Sequence, residues 1–563
     1  MRSIAPTGAW ARDALLPALP QTAGLEIYDL RASSPDILLS VSTLVGLVNR
    51  GQAKIYVIEN TDDEFWLQQL DPALPCTRPV GAGEDVLAHL LRMYGEQVAG
   101  LVIYDPNLLD TRNVASTLAA LRAGLVVSPE LANRLQAAPY HLPVLADLRV
   151  HGWKSRVQAY AWAYKHVLPE CSPDLLAGLD PRICGSLRSF LVTQRVFTCW
   201  LDARKIVPMP EAGWQCERGL FKRLLASFQP GALHLGWFVS EPFSIRLTSR
   251  AAMLTLASDH CTNLAIWSSL PGVHAGANAQ NSSVASLAGE ASTSDEQLSV
   301  AASVPARVLV ENERAFSEAY PSQETAKEPF DANAIYLSFT ISDGDNLQYC
   351  QHRLLHLWRD PARGSVPLGW TIAPALWQTM PRLAEFYHQT ATENDVLIAG
   401  PSGVAYMLPS YWPRRHRAAF LQMTADSLRA MDLTLLQVLD SWTWLSWFSM
   451  KFLNPGLQEL FARQLAAHGL RGILSGAGGL FPSWRLRAGV PVYQNLGLAL
   501  NPQRAQSLIQ SAVARKTRFI NIYVFAWTTN PGDLQRIVQQ LDSNVRVVTP
   551  ARLLELIQQR KQI

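Results

Sequence analysis

The sequence predicts an α/β protein in which an N-terminal α/β domain is followed by a (β/α)8-like barrel of the TIM or deacetylase type. Its 563 residues exceed the usual size of one domain. Short β-rich runs alternate with helical stretches before residue 270, and the alternation becomes regular, with eight repeats, after residue 330. We therefore expect an N-terminal domain at 1–270, optionally divided near 150, a linker or insertion at 271–330 and a barrel at 331–563.

The N-terminal half combines apolar β-rich runs with amphipathic helical stretches. The predicted strands are 25–30, 54–59, 100–104, 143–148 and 232–238, and the helices are 36–50, 112–123, 152–167 and 187–203. Gly, Ala, Ser, Asn and Thr then crowd 272–305 without apolar periodicity, which predicts a disordered linker or a surface insertion. We expect that a short Gly/Ser linker can replace residues 274–303 without loss of folding.

The C-terminal half gives the pattern of a barrel. Its predicted strands are 335–341, 367–372, 395–399, 433–438, 470–474, 491–498, 518–526 and 544–548, and its predicted helices are 378–393, 414–430, 456–468, 503–514, 532–541 and 550–560. The sixth strand is the weakest, so a seven-stranded or open sheet is the alternative.

Composition excludes several classes of protein. With 49 Lys and Arg, 46 Asp and Glu and a net charge of +3, no nucleic-acid-binding surface is indicated. No apolar run approaches the ~18 residues of a membrane span, and the first twenty residues lack the apolar core of a signal peptide, so a cytoplasmic location is the default expectation. Seven widely spaced cysteines suggest neither disulfides nor a zinc site. We expect no cofactor and leave a metal and the oligomeric state open.

Three acidic residues follow predicted barrel strands, where the chemistry of such barrels lies. Asp343 and Asp345 follow the first strand, and Asp440 follows the fourth. Carboxylates at one rim supply an acid/base pair or hard ligands for a divalent cation, so we expect these three residues to be catalytic. The alternative for Asp345 and Asn346 is that either one caps the following helix.

Two further patterns are weaker. His352 and His356 have the i, i+4 spacing of metal ligands, but His352 lies about 10 Å along the helix from Asp345, on the expected outer wall. Ser402 lacks the second glycine of a nucleophile elbow, so a turn or a substrate hydrogen bond is the better interpretation.

Aromatic and polar residues at the strand ends suit a sugar, because flat ring faces pack on pyranose rings. Glu241, Asp259 and Asn263 follow strands of the N-terminal half and are expected to cover the barrel mouth. The other candidate substrate-binding residues are Asn346, Trp370, Ser402, Tyr406, Trp442, Trp444 and Trp527.

Several stretches together resemble the GxGYxYTxP putative glycoside hydrolase family, bacterial proteins with an α/β N-terminal region and a barrel-like C-terminal region. The N-terminal stretches are LVGLVNR at 44–50, AKIY at 53–56, GWF at 236–238 with Glu241, and SDHCTNL at 258–264; the C-terminal ones are SDGDNL at 342–347, RGSVPLGW at 363–370 and GPSGVAYMLP at 400–409.

The motif that names the family is only partly kept. Gly403 and Tyr406 match the motif. Ala405 stands at the second Gly, Leu408 at the second Tyr, Pro409 at the Thr and Tyr411 at the final Pro. The closing stretch 547–554 is also similar to the last strand and helix of polysaccharide deacetylase barrels, which use an Asp and two His on a metal, but no matching His pair follows a strand here.

The sequence and the resemblance together favour a carbohydrate-active hydrolase. The leading hypothesis pairs Asp343 or Asp345 with Asp440 to cleave a glycosidic bond in a carbohydrate substrate. A metal-dependent polysaccharide hydrolase or deacetylase, and a catalytically inert glycan-binding protein, are the alternatives.

Overall fold

A computed structural model describes residues 14–81, 85–208, 216–270, 330–440, 455–476 and 482–560. The predicted linker and the tryptophans at 442 and 444 fall outside these ranges. The strands are β1 Leu25–Asp29, β2 Ile55–Ile58, β3 Cys76–Thr77, β4 Gly100–Ile103, β5 Gly124–Val127, β6 Val144–Asp147, β7 Leu175–Gly178, β8 Phe197–Cys199, β9 Leu233–Gly236, β10 Leu254–Leu256, β11 Ile335–Ile341, β12 Leu368–Ile372, β13 Asp395–Ala399, β14 Leu435–Val438, β15 Gly472–Ser475, β16 Ser483–Arg487, β17 Val490–Gln494, β18 Leu496–Ala499, β19 Phe519–Val524 and β20 Val545–Val547.

Helices separate most of the strands. They are α1 Pro35–Val48, α2 Thr61–Gln68, α3 Val86–Tyr94, α4 Thr111–Arg122, α5 Pro129–Gln136, α6 Arg156–His166, α7 Arg188–Thr193, α8 Glu217–Ala226, α9 Glu241–Arg250, α10 Leu264–Trp267, α11 Leu354–Trp358, α12 Leu376–Thr379, α13 Pro381–Gln389, α14 Arg417–Ala430, α15 Pro455–Ala466, α16 Pro502–Ala514, α17 Pro531–Val538 and α18 Pro550–Gln559. A π-helical turn, Tyr349–Arg353, precedes α11.

The described part of the N-terminal half forms three small parallel sheets. Their strand orders are β2-β1-β3, β5-β4-β6 and β10-β9-β7-β8. Strands such as β2 and β4 are buried at every position because their sequences, IYVI and GLVI, lack polar alternation. The predicted division near residue 150 falls between the second and third sheets.

One N-terminal prediction is wrong. The stretch 187–203 was expected to be one helix, but α7 ends at Thr193 and β8 begins at Phe197. Arg195 has a φ of 52°, which turns the chain out of the helix. The aromatic and β-branched residues of β8 then favour a buried strand over a helix.

The C-terminal half is built on a curled, mostly parallel sheet. Among the described residues its strand order is β16-β17-β15-β14-β13-β12-β11-β19-β18, with β20 also paired to β11. The eight predicted strands are present, but a (β/α)8 barrel is not confirmed. The predicted strand 491–498 is two strands, of which β17 pairs with β15 and β18 pairs with β19, and β16 adds an antiparallel hairpin to β17.

The two halves share one hydrophobic core. Trp66 of α2 is fully buried and its indole N–H donates to the carbonyl of Gln351. Backbone bridges also join β10 and the residue after it to the C-terminal half, at Thr255 with Tyr406 and at Ala257 with Asn346. The carboxyl ends of the third N-terminal sheet therefore meet the carboxyl ends of the curled sheet.

His352 and His356 also lie at this junction. Both contact the carboxylate of Asp62, at the start of α2, with N–O distances of 3.1 Å. The prediction of an outer helix face considered only the C-terminal half of the chain. In the structure the N-terminal half packs against this helix.

Within the described ranges, no helix has the length and apolar character of a membrane span. All seven cysteines are free, and five are buried.

Candidate active site

The loop that follows β11 is held tightly between neighbouring strands. A Cβ on Gly344 would lie 2.2 Å from the backbone of Thr371, and a Cβ on Gly400 would lie 2.2 Å from the carbonyl of Gly344. Asp343, immediately before Gly344, has a φ of 75°, a conformation that residues other than glycine rarely adopt. Strained residues of this kind are common at catalytic sites.

The Asp343 carboxylate accepts hydrogen bonds from two side chains. Ser342 Oγ donates to Oδ1 at 2.6 Å, and the indole N–H of Trp527 donates to Oδ2. Burial raises the pKa of Asp343, while these two donors act against that rise by stabilising the ionised form. Ser342 Oγ also accepts from the backbone N–H of Ala526, which fixes the loop to the end of β19.

Glu241, the first residue of α9, brings a second carboxyl group from the N-terminal half. The hydroxyl of Tyr406 donates to its Oε1 at 3.3 Å. Burial, followed by the charge of Asp343, raises the pKa of Glu241 to about 7. The side chain can therefore hold a proton near neutral pH.

Asp345 completes the group, which we call the carboxyl cluster: Glu241, Asp343 and Asp345. Burial and then the charges of Asp343 and Glu241 raise the pKa of Asp345 well above its usual value. Like charges that interact disfavour simultaneous ionisation, so the electrostatics favour a mixture of protonated and ionised carboxyl groups in the cluster.

Aromatic side chains surround the carboxyl cluster. Trp527 is 47% exposed although its indole N–H is bound to Asp343, and Tyr349 packs on it with ring centres 6.3 Å apart. Trp237 packs edge-on against Tyr406 at 5.9 Å. An exposed indole beside carboxyl groups is a platform on which a sugar ring can stack.

Several residues predicted for the site have their side chains engaged elsewhere. Asp440 is fully buried and accepts from the N–H and the hydroxyl of Ser410, at 2.9 and 2.5 Å. Ser402 exchanges hydrogen bonds with the backbone of Leu439, at 2.9 and 3.2 Å. Ser402 thus bonds the backbone that follows β14, and Asp440 bonds the loop that follows β13. Strand-end position alone cannot distinguish these structural contacts from a catalytic role.

Two more candidates serve packing. The indole N–H of the buried Trp370 donates to Asp395 at 2.7 Å, at the start of β13 and thus at the opposite end of the strands from the cluster. Asn263 pairs its side chain with the backbone N–H and carbonyl of Val57, both at 2.8 Å, and so extends the edge of β2. Neither side chain reaches the carboxyl cluster.

Asp259 and Asn346 lie beside the cluster at the junction of the two halves. Asn346 Oδ1 accepts from the N–H of Tyr349 at 3.1 Å, which is the capping role predicted as the alternative. Asp259 is 9% exposed, burial raises its pKa, and its Oδ1 has no hydrogen-bond partner among the described residues. Its other contacts include Gln348, three residues after Asp345.

Sequence reasoning missed Tyr523 and Ser342 and gave Glu241 only a binding role. Burial and the charges of Asp343 and Asp345 raise the pKa of Tyr523 well above 10. Ser342 immediately precedes Asp343 at the end of β11, so the strand-end rule could have identified it. Within the described residues, no three His, Cys, Asp or Glu side chains are arranged to hold a metal ion.

Four family models match consecutive parts of the chain. They are the GxGYxYP_N first domain at 24–89, the GxGYxYP_N second domain at 98–172, the GxGYxYP third domain at 173–269 and the GxGYxYP putative glycoside hydrolase C-terminal domain at 333–558. The three N-terminal matches each contain one of the three small sheets.

Two solved structures are similar to the chain. A putative hydrolase from Bacteroides thetaiotaomicron VPI-5482 is 20% identical with a TM-score of 0.75, over 99% of this chain and 98% of that one, which shows a shared fold. A putative polysaccharide deacetylase from Mycobacterium smegmatis is 11% identical with a TM-score of 0.30, over 42% of this chain and 96% of that one. No protein with a curated description matches the chain.

Proposed function

The chain belongs to the GxGYxYP putative glycoside hydrolase family, and we propose that it cleaves a glycosidic bond at the carboxyl cluster. The observation that supports this most is a group of three interacting carboxyl groups, all with raised pKa values, one of which is bound by the partly exposed indole of Trp527. Glycoside hydrolysis needs one protonated and one ionised carboxyl group on either side of a sugar, and the cluster supplies both.

Their surroundings suggest separate roles for Glu241 and Asp343. Glu241, with a pKa of about 7 and a long hydrogen bond from Tyr406, is the proposed general acid that protonates the leaving oxygen. Asp343, with two donors on its carboxylate, is the proposed ionised group that attacks the anomeric carbon or activates the water that does so. In both cases water is consumed and the new reducing end carries its hydroxyl group.

Asp345 supports this division. Its position in the loop of Asp343 and its electrostatic contact with Glu241 keep the proton within the cluster. Asp440, the partner expected from the sequence, is proposed to be structural because Ser410 occupies its carboxylate. The catalytic pair thus combines one residue from each half of the chain.

The test is a hydrolysis screen with aryl glycosides and polysaccharides, run with and without EDTA. We expect Asp343→Ala and Glu241→Ala to lower kcat/KM by at least about 10³-fold. Azide should restore turnover to Asp343→Ala, and a dinitrophenyl leaving group, which needs no protonation, should restore it to Glu241→Ala. Asp440→Asn is the matched control, expected to reduce stability more than turnover.

Three results would contradict the proposal. The first is full activity of Asp343→Ala in the folded state. The second is loss of hydrolysis in EDTA, which favours the metal-dependent alternative. The third is glycan binding without turnover by the wild-type protein, which favours the inert glycan-binding alternative.

A further inference from the structure

Arginine side chains collect at one side of the candidate active site. Arg246 and Arg250 of α9 both lie over the ring of Tyr411, with guanidinium carbons 5.2 and 4.9 Å from its centre. The stretch 414–417, with sequence RRHR, begins three residues after Tyr411 and adds three more arginines. We call the five of them the arginine rim: Arg246, Arg250, Arg414, Arg415 and Arg417.

The arginine rim shares α9 with a member of the carboxyl cluster, and the loop after β13 contacts both. Arg246 and Arg250 share α9 with Glu241 and lie about 7.5 and 13.5 Å farther along the helix axis. The loop from Tyr406 to Tyr411 runs against this helix, since the N–H of Leu408 donates to Ser249 Oγ at 3.0 Å. The same loop begins at the tyrosine that binds Glu241, so one short segment connects both groups.

Little negative charge balances the rim. Residues 396–425 contain neither Asp nor Glu, although the whole chain has nearly equal numbers of acidic and basic residues. Among the described residues, Arg250, Arg414, Arg415 and Arg417 form no ion pair with a carboxylate. The carboxylate whose charge acts on Arg417 is Asp440, which is buried and bound to Ser410.

The rim is also partly preorganised. The contact with the Tyr411 ring restricts both guanidinium groups, and the exposed Arg250 presents N–H donors to solvent. Arg417 donates to the carbonyl of Pro409 at 3.5 Å, and its buried Nε has no hydrogen-bond partner in the described part of the chain. Planar guanidinium groups bind carboxylates and sulfates through paired N–H donors.

We infer that the substrate is an acidic polysaccharide and that the arginine rim binds its carboxylate or sulfate groups while the carboxyl cluster acts on a neighbouring linkage. This inference rests on the proposed function, whose substrate class it specifies. A neutral glycan would leave the arginine rim without a role in substrate binding.

Binding is tested with two matched pairs of polymers. Polygalacturonate is compared with its methyl ester, and dextran sulfate with dextran, by affinity gel electrophoresis and by calorimetry. We expect at least one charged polymer to bind at least tenfold more tightly than its neutral counterpart, and we expect added salt to weaken that binding. The pair that shows the difference identifies the anion as carboxylate or sulfate. Equal binding within both pairs, or no binding of either charged polymer, would overturn the inference.

Variants locate the binding surface. Arg246→Gln with Arg250→Gln, and separately the exposed pair Arg414→Gln with Arg415→Gln, should each weaken binding of the charged polymer at least tenfold. The control pair Arg463→Gln with Arg504→Gln removes the same charge from exposed positions on α15 and α16 and should change binding less than twofold. Equal losses in control and rim variants would refute a local site, as would equally tight binding of a single-stranded oligothymidylate.

Asp343→Asn separates this inference from the proposed function. It should abolish hydrolysis while leaving rim-dependent binding intact. Rim-dependent binding without any hydrolysis by the wild-type protein would reject the proposed function and retain the acidic ligand. Hydrolysis of a neutral glycan that is unaffected by the rim variants would retain the proposed function and reject the acidic substrate.

Discussion

Replacing Glu241 with Gln should make the protein more stable. Its pKa rises from 4.5 to about 7 on folding because burial and the charge of Asp343 disfavour the ionised form. At about 1.36 kcal/mol per pKa unit the shift corresponds to about 3.4 kcal/mol, and partial exposure of the side chain reduces this to about 1–3 kcal/mol. Gln keeps the size and an acceptor for Tyr406 but cannot ionise.

The sign of the pH dependence follows from proton uptake. Between pH 4.5 and about 7 the folded protein holds the Glu241 proton more tightly than the unfolded chain does, so stability falls as the pH rises through this range. Below pH 4.5 Glu241 is protonated in both the folded and the unfolded state, so its carboxyl group costs no stability. Above about pH 7 it is ionised in both states, and the full electrostatic cost of burying the charge applies. The gain from Glu241→Gln should therefore be small at pH 4.5 and largest at pH 8.

Urea unfolding of the wild type and of Glu241→Gln at several pH values measures this gain in the free energy of unfolding. Glu393→Gln, at an exposed loop position, is the control and should change the free energy of unfolding by less than about 0.5 kcal/mol. A destabilised Glu241→Gln, or a gain that does not grow with pH, would show that the carboxyl group is not under electrostatic strain, and the proposed general acid would lose its physical basis.

Two further predictions concern neighbouring contacts. Trp527→Phe removes the N–H donor that stabilises ionised Asp343, so the acidic limb of the kcat/KM profile should move to higher pH. Trp527→Ala should have the same effect and should also raise KM severalfold, because the indole platform is lost. An unchanged pH profile in both variants would contradict the contact between Trp527 and Asp343. Asp62→Asn should cost about 1–3 kcal/mol, as hydrogen bonds to charged groups do. Burial lowers the pKa of His352, but the hydrogen bond to Asp62 together with the charges of Asp63 and Asp62 raises it on balance. Burial raises the pKa of Asp62, but the hydrogen bonds and charges of His352 and His356 together lower it. The pair's contribution is thus present between about pH 4 and 6.5 and fades as the pH rises through the raised pKa of His352, so urea titrations that show an equal cost at pH 5.5 and pH 9 would contradict it.

The sequence predicts the C-terminal strands well because they are local features. Continuous apolar runs place β11 and β13 at their observed bounds, and the strand-end rule selects Asp343 and Asp345. The strand-end rule does not distinguish the polar residues of the candidate site from those that only bond neighbouring loops. Asp440 and Asp343 both follow buried strands, and only tertiary packing gives one of them Ser410 as a partner and the other Trp527.

The strand order of the curled sheet and the position of Glu241 depend on contacts between residues far apart in the chain. The run 490–499 looks like one strand, yet Asn495 divides it because its two parts pair with different neighbours. Glu241 meets Asp343 only because bridges at Thr255 and Ala257 seat the third N-terminal sheet against the curled sheet. No periodicity within either half encodes that docking.

The position of the carboxyl cluster at this junction has an energetic consequence. Glu241 lies on α9 and Asp343 on the strained loop after β11. The free energy that opposes the repulsion between their carboxylates therefore comes from the packing of the two halves in their shared core. Either half by itself would leave its carboxyl group more exposed to water, with a pKa nearer the ordinary value. Weakening the docking, for example at the contact of Trp66 with Gln351, should therefore lower the pKa of the proposed general acid as well as the stability. The acidity of the site and the docking of the two halves are thus expected to change together.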